Sequence, residues 1–400
     1  MYFFEKVNEN IIRLGVNDRR LARFENMYPI PNGISYNSYL VVGDKTVLMD
    51  TVDHAYMNQF FENLDSALDG RDLDYLVVSH MEPDHSAAIA MVLKAYPNCK
   101  LVGNQKSFQF LEQFFHYDFK DRYLIVKDGD ILDIGGRVLK FVFAPMVHWP
   151  EVMFTLTDKG ELFSSDAFGT FGAIEGHIYS DDIEMDELFL SEAARYYFNV
   201  VGKFGRNVIS VLKKLDLEAI NMILPLHGPI HRTKEKINAF VDKYMTWAAF
   251  EPEKQGVVIV FASMYGNTEL VADTIAYFLS MEGVKNIKIY DVSETHASYI
   301  ISEAHRHSNL IFTPINYNTE LYPEMDALLR ELVGTGYQSR KYSVITNGSW
   351  GGRSEKIAEE IIAKSKLEKI GETVAITSSA TKEDEEKLKA LAKQIADSLK

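Results

Sequence analysis

The chain has 400 residues, 46% of them hydrophobic, and a formal charge of −15 at pH 7. That length and composition suit two ordinary globular cores, while the negative charge works against non-specific binding to nucleic acid or anionic lipid, both polyanions. The single cysteine, Cys99, excludes an internal disulfide and any four-thiolate iron site within these residues.

The N-terminal MYFFEKVNEN lacks a basic region followed by an apolar block, and the longest apolar runs, such as VVIVFAS from Val257, are only strand-length. The expectation is a cytoplasmic protein with no membrane span. The runs YNSYLVV and KTVLMDT, joined at Gly43 and Asp44, read as a hairpin, and Ala87 to Tyr96 reads as a helix. The first 250 residues or so therefore predict a mixed sheet with helices outside.

Within that stretch four apolar runs end in metal-binding residue types. LDYLVVSH ends at His80, and the next turn adds Glu82, Asp84 and His85 before a helix expected near Ser86. RVLKFVFAPMVHWP brings His148, GELFSSDAFG brings Asp166, and INMILPLHGP brings His227. A lone histidine is ordinarily a hydrogen-bonded core or surface residue, and Asp84 could serve as a helix cap. Four such residues in six positions, HMEPDH, and three more at strand ends argue for a metal site instead. Four histidines and three carboxylates can serve two ions with open positions, particularly if one carboxylate bridges, and Asp166 is the natural bridge.

At Ala249 to Gly256, AFEPEKQG gathers proline, glycine and charge, and a domain boundary is expected there, dividing residues 1–252 from 253–400. Beyond it a strand-then-helix alternation repeats five times, through GVVIVFAS, NIKIYDV, NLIFTPI, KYSVITN and ETVAITS. Near-continuous apolar strands between amphipathic helices predict a doubly wound parallel sheet. The first strand runs into Ser263, Met264, Tyr265, Gly266, Asn267 and Thr268, whose hydroxyls and backbone amides at a helix start would wrap a phosphate. With no Walker lysine and no GxGxxG, a monophosphate fits better than a triphosphate or dinucleotide. The loops after the third and fourth strands should flank its ring: Thr313 with Pro314, Ile315, Asn316, Tyr317 and Asn318, and Thr346 with Asn347, Gly348, Ser349, Trp350, Gly351 and Gly352. Tyr317 or Trp350 could stack on an isoalloxazine.

HMEPDH followed by His148, Asp166 and His227 resembles the metallo-β-lactamase superfamily, whose hydrolytic members usually read HxHxDH. Glu82 departs from that pattern, and its hard carboxylate beside histidines suits iron. With the second half resembling flavodoxins in its flavin loops, the whole chain resembles the flavodiiron proteins, or A-type flavoproteins. The fold this implies is a metallo-β-lactamase-like αββα sandwich followed by a flavodoxin-like domain, the cofactors FMN and two iron ions. The activity implied is reduction of dioxygen to water, nitric oxide to nitrous oxide, or both. In this reading His80, Glu82 and His148 hold one iron, Asp84, His85 and His227 the other, and Asp166 both.

The family further implies a head-to-tail homodimer, or a dimer of dimers, and an external electron donor such as rubredoxin, since neither a reductase nor a rubredoxin module is apparent. The rival enzyme is a zinc-dependent hydrolase carrying a flavodoxin domain, and a rival of another class is a flavodoxin-like electron carrier with a docking module. Some relatives place a further histidine from the N-terminal segment near the gas pocket, but none lies between Asn17 and Ile34 here. His54, His116, His177, His231, His296, His305 and His307 receive no role; His305 and His307 are expected on a helix surface, and His177 or His231 could approach the metals.

Overall fold

The computed structural model describes residues 4–183 and 187–400. The chain divides into two compact units, Met1–Met245 and Thr246–Lys400, the division falling inside the last turn of the helix Lys234–Ala248. Among the described residues no helix is long and apolar enough to cross a membrane.

The first unit is built on two sheets. One has seven strands in the order Glu5–Lys6, Ile11–Arg13, Tyr39–Val42, Thr46–Met49, Tyr75–Val77, Lys100–Gly103 and Tyr123–Ile125. The expected hairpin is there: Tyr39–Val42 runs antiparallel to Thr46–Met49. The last four strands are parallel neighbours. The other sheet has Ile131–Asp133, Val138–Phe143, Met153–Thr157, Glu161–Phe163 and Met222–Leu224 in order, antiparallel except for the final parallel pair. Alternate residues of both sheets, among them Tyr39, Val41, Val47, Met49, Val77, Phe141, Met153 and Leu224, form one buried cluster. That period-of-two pattern is what a sheet-on-sheet core requires, and the intervening residues, such as Leu40 and Leu48, are buried too.

The second unit is a parallel sheet in the order Asn286–Asp291, Lys254–Phe261, His307–Thr313, Arg340–Asn347, with both Leu367–Lys369 and Val374–Ile376 pairing to the last. Each face has its own core. Val258, Val260 and Phe312 lie in one cluster, and Val257, Ile259 and Ile311 in the other. The strand Leu367–Lys369 is absent from the five-strand reading because its residues, LEK, carry no apolar run.

His305 and His307 are not surface residues. Both are buried, and His307 opens the strand His307–Thr313. His305 pairs through Nε2 with Thr335 Oγ1 at 3.1 Å, and the His307 Nδ1–H donates to the Glu303 carbonyl at 2.8 Å. Burial lowers both pKa values and keeps both rings neutral. Their polar sequence neighbours hid this, because a helix end tucked under a sheet looks like an exposed one in sequence.

Candidate functional site

The seven metal-type residues converge because of strand direction. The parallel pair Glu161–Phe163 and Met222–Leu224 brings Asp166 and His227 out at the same sheet edge. His80 and His148 follow Tyr75–Val77 and Val138–Phe143. Asp84 and His85 sit in a short helix, Pro83–Ser86, which starts earlier than expected because proline suits the first helical position. Glu82 occupies the N-cap position yet makes no side-chain capping bond, so helix capping does not explain it.

Two clusters result: His80, Glu82, His148 and Asp166, and then Asp84, His85 and His227, the candidate ligand atoms of each lying within 4.8 Å of one another. In the first, His80 Nε2 and His148 Nε2 each lie 3.1 Å from Glu82 Oε2. In the second, Asp84 Oδ2 lies 3.1 Å from His85 Nε2 and 3.3 Å from His227 Nε2. Asp166 presents one oxygen to each cluster: Oδ2 is 3.1 Å from His148 Nε2, and Oδ1 is 3.3 Å from His85 Nε2.

The arrangement fits metal ions better than internal hydrogen bonding. Asp84 Oδ1 is buried without a hydrogen-bond partner, and Asp84 Oδ2 and Asp166 Oδ1, also buried, make no directed hydrogen bond although imidazole nitrogens stand 3.1–3.6 Å away. Buried polar atoms left unpaired are costly, so these oxygens call for a cation. The mixture of imidazole and carboxylate donors, with no thiolate, suits iron. Electrostatics says the same. Burial alone would lower the histidine pKa values, but the Asp84 and Asp166 carboxylates outweigh it and push His85 up to about 10. At His148, Asp166 and Glu82 likewise overcome burial and push it up to about 9. Burial would raise Asp166, yet His80 and His85 hold it well below the usual carboxylate range. Three carboxylates thus demand positive charge, which protons or metal ions can provide.

The supporting shell includes residues the sequence did not single out. Glu151 Oε1 accepts from His80 Nδ1 at 2.8 Å, the Ser35 carbonyl accepts from His227 Nδ1 at 2.7 Å, and Asp50 Oδ1 accepts from the Ser79 amide at 2.7 Å. Tyr196, fully buried, sets its ring 5.6 Å from that of His227. Asp50, Met146 and Ser165 adopt positive φ angles of 55°, 66° and 53°, an uncommon state for such residues and one that clusters at functional sites. A cavity of about 460 Å³ reaches Glu82 and Asp84 past Phe24, Glu25, Tyr36 and Asp53. No histidine lies in that N-terminal segment; Glu25, which lines the cavity, sets its carboxyl against Glu82, and burial together with the Glu82 charge pushes its pKa up to about 8. His231 does not join either cluster; it pairs with Ser180 Oγ at 2.9 Å, while His177 is exposed.

The second unit has its own cavity, about 340 Å³, at the carboxyl ends of its strands. Of the expected flavin residues, Ser263, Met264, Tyr265, Asn267, Thr268, Ile315, Asn316, Tyr317, Asn318, Asn347, Gly348, Ser349 and Trp350 line it. Gly266, Pro314, Gly351 and Gly352 do not; Gly351 and Gly352 line the adjoining hollow instead. Gly266, at φ 88°, turns the chain into the helix Asn267–Met281, leaving its first amides free for a phosphate. Tyr265 and Trp350 stand 90% and 72% exposed beside the cavity, aromatic faces without a ring to cover. Thr319 and Ser378 also line it; Ser378 follows the fifth strand, whose loop is not among the expected flavin loops.

Comparison with known proteins agrees with both halves. The profile of the ODP family of beta lactamases matches residues 34–228, and that of flavodoxin matches residues 259–399. The anaerobic nitric oxide reductase flavorubredoxin of Klebsiella pneumoniae is 32% identical over 353 residues, covering 86% of this chain and 72% of that one. Rubredoxin oxygen:oxidoreductase from Desulfovibrio gigas superposes with a TM-score of 0.94 at 28% identity, covering 99% of this chain and 98% of that one. A flavo di-iron protein of Thermotoga maritima, its H90A mutant, superposes at 0.91 with 27% identity, covering 100% and 99%. The chain belongs to the flavodiiron protein family. As a flavodiiron protein it is an oxidoreductase with a metallo-β-lactamase-like and a flavodoxin-like domain, and its cofactors are FMN and a non-haem diiron centre.

Proposed function

We propose that this flavodiiron protein reduces dioxygen to water, nitric oxide to nitrous oxide, or both, with electrons drawn from an external donor. The observation that carries the reading is the convergence of four imidazoles and three carboxylates in two buried clusters joined by Asp166. When bound, a diiron pair supplies two electrons and open positions to a small oxidant, and FMN takes up electron pairs and passes them on singly.

Residues 1–252 form the diiron domain and residues 253–400 the FMN domain. His80, Glu82 and His148 would hold one iron, Asp84, His85 and His227 the other, with Asp166 shared. The loops from Ser263, Pro314 and Asn347 would hold the FMN phosphate and ring. The cavity of about 460 Å³ lined by Glu25 and Tyr36 leads to Glu82 and Asp84, which are buried together with the four histidines and Asp166. The Glu151 carboxylate holds the imidazole of His80, and the Ser35 carbonyl that of His227, in one orientation, so little rearrangement is needed when charge develops. A head-to-tail homodimer, or a dimer of dimers, would face one subunit's flavin toward its partner's irons. The similarity to a flavorubredoxin and to a rubredoxin oxygen:oxidoreductase supports rubredoxin, or a protein like it, as donor.

The test is metal and flavin content of anaerobically purified protein, followed by dioxygen and nitric oxide consumption with reduced rubredoxin. Two irons and one FMN per chain with consumption of either gas is the expected result. Zinc in the site together with ester or phosphodiester hydrolysis would overturn it.

A further inference from the structure

Two of the metal-facing imidazoles are backed in chemically different ways, and a third is not backed at all. The His80 Nδ1–H donates to the Glu151 carboxylate at 2.8 Å, which leaves Nε2 aimed at Glu82 and Asp166. The His227 Nδ1–H donates to a neutral carbonyl, that of Ser35, at 2.7 Å. His85 Nδ1 is buried with no hydrogen-bond partner.

Glu151 is an unusual residue to find here. Its side chain is fully buried, and two donors, His80 Nδ1 and the Met81 amide at 2.9 Å, converge on Oε1 while Oε2 has no partner. Burying a carboxylate with one oxygen unpaired opposes folding, and a glutamine would make the same two contacts without burying charge. The negative charge therefore has a use beyond geometry. A carboxylate behind a ligating imidazole fixes its tautomer and raises the basicity of the inward nitrogen, an effect a carbonyl exerts more weakly.

We infer that Glu151 is a positioning residue that makes the two metal positions unequal. The position built on His80, Glu82 and His148 binds its ion more tightly than the one built on Asp84, His85 and His227. The inference rests on the assignment of the two clusters as metal positions and goes beyond it by ranking them.

The experiment is anaerobic titration of metal-free wild type, Glu151→Gln and Glu151→Asp with ⁵⁷Fe(II), read by bound iron and by Mössbauer spectra. Wild type should fill in two steps, the first equivalent giving one quadrupole doublet. Glu151→Gln, which keeps an oxygen for both donors, should weaken the first step by about 10- to 100-fold and leave the second unchanged. Glu151→Asp should recover part of the loss, because it restores charge. Simultaneous filling of both positions in wild type, or equal weakening of both steps in Glu151→Gln, would overturn the inference. If Glu151→Gln does not fold, as judged by FMN retention and thermal unfolding, the stepwise filling of wild type decides alone. Wild type that takes up fewer than two ions would instead defeat the diiron assignment itself.

Discussion

The Nε2 atoms of His85 and His227, 142 residues apart in the chain, face each other at 3.0 Å. Two imidazole lone pairs at that distance repel unless a proton or a metal ion lies between them, and Asp84 stands within 3.3 Å of both. The strand ends that carry these rings were fixed by folding, so the pairing is paid for by the fold before any ion arrives.

Removing the metal should therefore weaken the fold. A ligand that binds only the native state stabilises it by about 4 kcal/mol at 1,000 times its dissociation constant. Chelated protein is expected to unfold at lower urea than iron-loaded protein, with Fe(II) restoring the midpoint. Identical midpoints would mean that the seven residues hold no ion.

Asp166→Ala should abolish turnover while leaving one FMN per chain. Asp166 faces both clusters, so the loss of metal affinity should exceed the roughly 10- to 100-fold typical of losing an outer partner. Iron analysis beside flavin absorbance checks both halves, and normal gas consumption by this variant would contradict the bridging role.

The flavin loops offer a test confined to the second unit. Gly352 has φ 140°, and a Cβ there would meet Asn316 Oδ1 at 2.0 Å. That oxygen accepts from the Ser354 amide at 3.1 Å and ties the two flavin loops together. Strain of about 1–3 kcal/mol, some 5- to 150-fold in FMN affinity, is expected for Gly352→Ala. Quenching of flavin fluorescence on titration into FMN-stripped protein measures it; an unchanged dissociation constant would mean that the close approach of Gly352 to Asn316 does not shape the flavin cavity.

A pH dependence follows from His231. Burial lowers its pKa to about 4 in the folded protein, against an ordinary histidine value of 6.5. Above pH 6.5 the ring is neutral in both states and stability is intact. Between 6.5 and 4 only the unfolded chain takes up the proton, so stability falls by up to about 3 kcal/mol. His231→Asn should flatten that part of the urea-midpoint profile relative to wild type; parallel profiles for the two proteins would exclude His231 as the cause.

Much of the site was legible in the sequence because ligand chemistry is local. HMEPDH places four donors in six residues, and SMYGNT carries its hydroxyls and glycine together. Glu151 was visible three residues after His148, yet its partner is His80, 71 residues earlier, and no spacing rule links them. The strand Leu367–Lys369 and the buried His305 and His307 were missed for a related reason, since their surroundings are supplied by other elements.

The sequence by itself determined which residue types could bind metal and phosphate, and that they end successive strands, because side-chain chemistry and apolar periodicity are properties of short segments. Only the tertiary structure decided that Asp166 stands between the two clusters, that Glu151 backs one histidine while a carbonyl backs another, and that a cavity past Glu25 reaches the carboxylates. Those relations depend on the direction and register of strands far apart in the chain, and strand pairing is settled only when the two sheets bury their shared core.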